Sequence, residues 1–418
     1  MYKLIGFMIL LCFGFKGKSQ EFLPKWQNGY LDIHHIQTGR GNATFVVFPD
    51  ATSLLIDCGD MSESHSRVLS DRNTQLVPNN SKTAPQWVVD YVKQFQPNRS
   101  NYIDYALITH YHDDHFGEMD NQRKKSAKGD FFLTGITEFG DAIPIKTIID
   151  RGFEYPINLK DKSVQNQADF KHDKYKMIPT LREYWKFIDH CSKSNGLKYE
   201  EFELGSKKQI SLQNEASRFT NCYVQNLAVN GRIWTGIPDE TISLYQAGIY
   251  PGENSLSTCL KIVYGKFEYF TGADISGVND FGEADFNSME SHLAPVIGAV
   301  DVATLNHHGN KDSSNKYYIR TIRPRVWISQ AWSSNHPGHE VFKRIRSKQI
   351  YPGERDIYST TVLAASKNFM GVDEGEFASE HGHIVVRVYQ NGEKYEVYVL
   401  DEKDVKRKVI MKKEYNSR

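Results

Sequence analysis

The chain has 418 residues, of which 39% are apolar, enough to bury a full core around one catalytic domain. Lys plus Arg equals Asp plus Glu at 51 each, so no strong overall field steers the molecule onto a nucleic acid backbone. Long duplexes are therefore disfavoured as substrates and no stable nucleic acid binding is expected. The local basic cluster Lys406, Arg407, Lys408, Lys412 and Lys413 reads as a solvated tail.

In chain order, Lys3 precedes an apolar run from Leu4 to Phe15, and Gly17-Lys18-Ser19 offers the small residues a signal peptidase reads. Residues 1–19 are thus expected to be a cleavable signal peptide, leaving 20–418 as a secreted or periplasmic mature protein. A run of about 12 apolar residues is shorter than the ~20 a membrane-spanning helix needs, and no later stretch is more apolar, so no span is expected in the mature chain. Cys12 lacks the small preceding residue of a lipid-attachment site.

Alternating β-branched and aromatic residues predict strands at 30–36, 44–48 and 53–57. Trp87 to Val92 has helical spacing and Pro97 stops it. A strand at 103–109 then runs into Thr109-His110-Tyr111-His112-Asp113-Asp114-His115-Phe116-Gly117, with three imidazoles and two carboxylates in six positions. Residues two apart in a strand share a face, so His110 and His112 project together, and the turn that follows brings Asp114 and His115 to a second position. Imidazole nitrogens and carboxylate oxygens are the donors zinc accepts, and a polar loop has no reason to follow H-x-H-x-D-H.

From about 120 to 250 the pattern changes to a basic patch at Arg123-Lys124-Lys125, a strand-like Pro144 to Asp150, and a helix at Ile178 to Ser192. This stretch reads as a large insertion. Its aromatics Phe131, Phe132, Tyr155, Tyr184, Trp185 and Trp234 are expected to wall a substrate pocket. Cys191 and Cys222 fall within it, where a bridge is open, whereas Cys58 and Cys259 read as buried hydrophobes. Strands return at 258–264 and 267–271, followed by a helix near 286–297, a strand at 301–306, a helix near 313–322, the strand Val326 to Gln330 and a helix at 338–347. A hairpin, His383 to Tyr389 and Lys394 to Leu400, turns at Asn391-Gly392. His34, His35, His381 and His383 lie in or beside strands and read as structural.

The metal loop resembles that of the metallo-β-lactamase superfamily. Supporting stretches follow in order: Gly39-Arg40-Gly41-Asn42-Ala43-Thr44, Leu54 to Gly59, Tyr269-Phe270-Thr271-Gly272-Ala273-Asp274, Ala303 to Gly309, and Ser334-Asn335-His336-Pro337. His307-His308-Gly309 with the later His-Pro is similar to the branch holding the C-terminal domain of the competence protein ComEC, and to secreted phosphorylcholine esterases. The resemblance implies an α/β fold, the αββα sandwich of two mixed sheets with helices outside.

It also implies two divalent metal ions, zinc or manganese. His110 and His112 would hold the first, Asp114, His115 and His308 the second, and Asp274 would bridge them. Two such ions activate a shared water for in-line displacement at phosphorus without a protein nucleophile. Many members supply a third His to the first metal, and here Asn254 stands at that position, which loosens the site and leaves metal identity open. If both members of His307-His308 extend a strand they point opposite ways. His308, followed by Gly309, is then the ligand, and His307 lies behind it or faces substrate, with the reverse assignment left open. His336 would donate a proton to the leaving group or bind a phosphate oxygen, and Asp57 would orient a ligand imidazole. The expected substrate is a small molecule or short phosphodiester, nucleotide or choline-type. A lactone, thioester or β-lactam hydrolase of the same fold, and a non-catalytic domain that keeps metal for stability, are the alternatives.

Overall fold

A computed structural model describes residues 21–97, 101–279, 287–373 and 375–418. The expected signal peptide lies outside the described residues. The chain opens with β1 (Leu31–His35), β2 (Thr44–Val47), β3 (Ser53–Ile56) and β4 (Ile103–Leu107), close to the bounds predicted from alternation. The stretch read as an insertion then supplies β5 (Ile145–Asp150), β6 (Lys198–Glu201), β7 (Cys222–Val229), β8 (Arg232–Trp234) and β9 (Thr241–Ser243). Next come β10 (Cys259–Tyr264), β11 (Phe267–Thr271), β12 (Val302–Thr304), β13 (Val326–Ser329) and β14 (Asp356–Ser359). The chain closes with β15 (His383–Val388), β16 (Lys394–Leu400) and β17 (Val409–Asn416).

Nine strands form one sheet in the order β17-β16-β15-β1-β2-β3-β4-β5-β6, and eight form the other as β14-β13-β12-β11-β10-β7-β8-β9. Each sheet passes from antiparallel to parallel pairing, at β3–β4 in the first and at β11–β12 in the second. The two halves therefore echo each other. Residues 120–250 are built into both sheets, and β7 pairs with the central β10, so the idea of an appended insertion is corrected.

Both faces of the sheets are covered, and for that reason several strands read as continuous apolar runs. Leu54 and Ile56 of β3 face the second sheet, packing in one cluster with Ile262 and Val326, while Leu55 between them packs outward with Val88 and Phe187. The outward side of the first sheet is closed by helices Ala84–Phe95, Gly135–Ala142 and Met177–Asn195. Helices Met289–Ile297, Lys316–Ile322 and His339–Arg346 close the second. Four layers in the order α, β, β, α result, the sandwich the motif resemblance implied.

Two further readings change. The basic C-terminal cluster is not a solvated tail: it runs into the edge strand β17, whose Lys412 and Lys413 pair with Glu396 at 2.6 Å and Asp356 at 2.9 Å. Lysines on an exposed edge also discourage pairing with another chain. Cys191 and Cys222 are both buried and unbridged. Among the described residues no helix is long and apolar enough to cross a membrane.

Candidate metal centre

The predicted site residues gather along one edge of the sandwich, at the carboxyl ends of β3, β4, β11, β12 and β13. The loop after β4 carries His110 and His112 and ends in the short helix Asp113–Phe116, which presents Asp114 and His115. Its backbone is clamped by the two Gly-containing loops flanking β2 and β3: Asn42 and Cys58 donate to the carbonyls of Asp114 and His115 at 2.7 and 2.9 Å. Gly41 and Gly59 are required there, since a Cβ on either would lie 2.0 or 2.1 Å from the Asp114 carbonyl oxygen. The motifs around Gly41 and Gly59 thus act by holding the metal loop.

Two donor groupings result, Asp114, His115, Asp274 and His308, and His110, His112 and Asp274, with Asp274 common to both. In the first, His115 Nε2 lies 3.3 Å from His308 Nε2 and 3.1 Å from Asp274, and His308 Nε2 lies 3.0 Å from Asp114 and 3.5 Å from Asp274. Donors bound tetrahedrally at roughly 2.0 Å would be about 3.3 Å apart, so this grouping fits a zinc-sized ion. The second is looser, with His110 Nε2 3.7 Å from Asp274. His110 Nε2 and the Asn254 side-chain oxygen are buried without a hydrogen-bond partner, as expected of atoms whose partner is an ion. Asn254 does reach the site, from the turn Asn254–Leu256, and its amide lies 3.2 Å from His307 Nε2.

Outer contacts fix the imidazoles. Asp57 takes His115 Nδ1 at 2.7 Å and is itself held by the backbone and hydroxyl of Thr109, both at 2.8 Å. His308 Nδ1 meets the Gln330 carbonyl at 2.9 Å. Such contacts set the tautomer that turns Nε2 towards an ion. Glu253, paired to the buried Arg151 at 2.7 Å, accepts the Tyr111 N–H at 2.9 Å and so ties the His110–His112 segment to Asn254.

His307 and His308 do not extend a strand. Both have left-handed backbone, φ 49° and 57°, in the turn Asn306–Gly309, and both face Asp274. His307 Nε2 stands 3.9 Å from that carboxylate while its Nδ1 is held by Asp312 at 2.8 Å. Left-handed conformations in non-glycine residues cost energy and persist where surrounding contacts impose them. His336 stacks on His308 with ring centroids 4.6 Å apart, and its Nδ1 has no partner in the protein.

The electrostatics follow from burial against opposite charge. Burial opposes a charged His115, yet Asp274 and Asp57 outweigh it and hold its pKa well above the ordinary value. Burial likewise opposes an ionised Asp274, but His115 and His308 keep its carboxyl well below the usual range. His110 and His336 go the other way: burial, then repulsion from His115 and His308 respectively, push both well below.

Above the cluster lies a cavity of about 400 Å³. Its walls come from the loop carrying Arg67 and Arg72 and from Trp332, whose indole donates to Asp114 at 2.9 Å. From the 120–250 stretch only Tyr175 reaches it, its ring tilted against that of His112 with centroids 4.1 Å apart. The six aromatics expected to wall it pack elsewhere. Phe131 lies on Phe187, Trp185 on Phe153, and the Tyr184 hydroxyl donates to Asp150. Arg67, Tyr175 and Trp332 were not singled out by sequence, since each sits in a loop without motif or periodicity. A third acidic grouping, His65, Asp113 and Glu118, is already neutralised by Arg67 and Lys176.

No family model and no curated protein matches the chain. Among solved structures it is similar to the metallo-β-lactamase fold protein YhfI from Bacillus subtilis, at 14% identity over 79% of this chain and 96% of that one, with a TM-score of 0.35. It is also similar to Zn(2+)-bound PqqB from Methylobacterium extorquens, at 11% identity over 85% and 99% of the two chains, with a TM-score of 0.38. A third is the hydrolase AbOPH of the beta lactamase superfamily, at 12% identity over 62% and 75%, with a TM-score of 0.30. Likenesses at this level carry no argument about chemistry, which rests on the residues described above.

Proposed function

We propose that this chain is an exported, binuclear metal-dependent hydrolase that cleaves small or short phosphodiesters, of nucleotide or choline type. The observation that carries the reading is the pair of donor groupings sharing Asp274 beneath a solvent-reaching cavity. Asp114, His115, His308 and Asp274 would hold one divalent ion, and His110, His112 and Asp274 the other, with Asn254 near the second. When bound, two such ions supply an activated water and neutralise charge developing at phosphorus. The protein's own residues orient the rest. Asp57 fixes His115, and Asp312 fixes His307 with its Nε2 towards Asp274. His336 lines the cavity, where it would hydrogen-bond a phosphate oxygen or the leaving group, and its buried Nδ1 has no hydrogen-bond partner in the protein. Arg72 on the wall would favour an anionic substrate, whereas the Arg67 charge is already paired with Asp113.

The test is an assay of the metal-loaded protein against matched chromogenic phosphodiester, phosphomonoester and lactone substrates. Diester cleavage with weak salt dependence is expected, because a small substrate displaces few counterions. Faster turnover of lactones than of any diester would replace this reading with lactone hydrolysis.

A further inference from the structure

The metal cavity does not end at its rim. A second groove of about 720 Å³ adjoins it, and Arg72, Asn310 and Asn335 line both. The two spaces differ in chemistry. The cavity presents imidazoles, carboxylates and arginines, whereas Pro337, Ala365, Phe369 and Met370 give the groove an apolar wall.

Phe369 is 78% exposed and Leu69 73%, the two most exposed large apolar side chains among the described residues. Phe369 lines the groove, and Leu69 belongs to the loop that supplies Arg67, Ser70 and Arg72 to the cavity. In the helix Ala364–Met370 the buried Met370 joins the core cluster, which leaves Phe369 on the outer face, edge-on to His339 at 5.8 Å. Solvent-facing apolar surface of this kind, continuous with a polar site, marks a ligand groove. The groove is also fixed to the centre. Ser366 donates to the Ser334 carbonyl at 2.6 Å, Gly338 donates to that of Gly309 at 2.8 Å, and Pro337 directly follows His336.

Building on the phosphodiesterase reading above, we propose that the substrate is amphiphilic. Its phosphoryl group sits over the ligand cluster, and an alkyl or aryl ester substituent lies along Pro337 and Phe369, with Arg72 at the junction facing the anionic oxygen. The groove thereby selects diesters with one apolar arm over those with two small polar ones.

The experiment is calorimetric binding of methyl-, butyl- and octylphosphonate, which cannot be hydrolysed, to the metal-loaded full chain. Affinity is expected to rise by about tenfold or more from methyl to octyl as methylenes leave water. Phe369→Asp, which makes the wall polar, and Ala365→Trp, which fills the groove, should each remove most of that gain while metal content stays the same. Equal affinity for the methyl and octyl compounds, or a gain that survives both substitutions, would overturn the proposal. A chain-length gain in a protein that cleaves no diester would overturn the reaction assigned to the centre and leave the groove standing.

Discussion

A groove of about 1150 Å³ lies beside Trp26, Lys93 and Arg387, and carboxylates line it as they line the smaller metal cavity. The two treat those carboxylates differently. In the large groove Asp32 is gripped by Arg387 at 2.8 and 2.5 Å, Asp50 accepts three backbone N–H groups, and Asp104 takes Ser53 and Lys146. In the metal cavity Asp114 and Asp274 face imidazoles that are themselves crowded together, and His110 Nε2 has no hydrogen-bond partner. Volume alone would have pointed to the wrong hollow. What separates them is whether the buried charge is already satisfied by the chain, since an unsatisfied buried group is costly and persists where function requires it.

The largest expected effect is on the unsatisfied side. Asp274→Ala removes the carboxylate common to both groupings and should bring diester hydrolysis below detection, while circular dichroism shows a folded protein. Wild-type rates in this variant would break the assignment of the bridge. On the satisfied side the effect should fall on stability alone. Asp32→Ala strands a buried guanidinium and should cost about 3–5 kcal/mol in urea unfolding without changing metal content. The sign with pH is fixed by the same pair. Burial opposes an ionised Asp32, but Arg387 outweighs it and lowers its pKa. Its stabilisation is thus complete above about pH 5 and is lost progressively as pH falls from there.

Smaller effects should sharpen the contrast. Asp57→Ala frees His115 to rotate and should weaken metal binding by roughly 10- to 100-fold, measured by competition with a chelator. Unchanged affinity would mean the imidazole is held by packing alone. Glu290 is an intermediate case, a buried carboxylate taking donors from Asn306, Ser314 and Asn315. Burial leads those donors and raises its pKa to about 7. The folded state therefore binds more protons than the unfolded one between about pH 4.3 and that value, and stability falls as pH rises through the window. In Glu290→Gln the fall should flatten when melting temperature is followed across it.

How much of this was legible in the sequence follows from the range of the interactions. The loop His110 to His115 and the strand before it were readable because the ligands are close in sequence and follow a period of two. Asp57, Asp274 and His308 were found by motif, and the structure brings them to the same place. The turn at His307-His308 was not readable, because left-handed backbone in two adjacent histidines is imposed by contacts with Asp312 and Gln330 rather than by local preference. The cavity wall was misassigned for a similar reason. Trp332 meets Asp114 across 218 positions of sequence, a contact no local pattern encodes, while the conspicuous aromatics of 120–250 were needed for packing. Strand β17 hid behind its lysines, whose exposed alternation looks like a polar tail until Glu396 and Asp356 are placed opposite.

Whether the unsatisfied cluster holds two metal ions is tested most directly by elemental analysis of the purified chain after reconstitution with zinc or manganese. Close to two ions per chain are expected in the wild type, with the loss of at least one in His110→Ala and in Asp114→Ala. A wild-type chain that retains no transition metal after reconstitution would contradict that expectation.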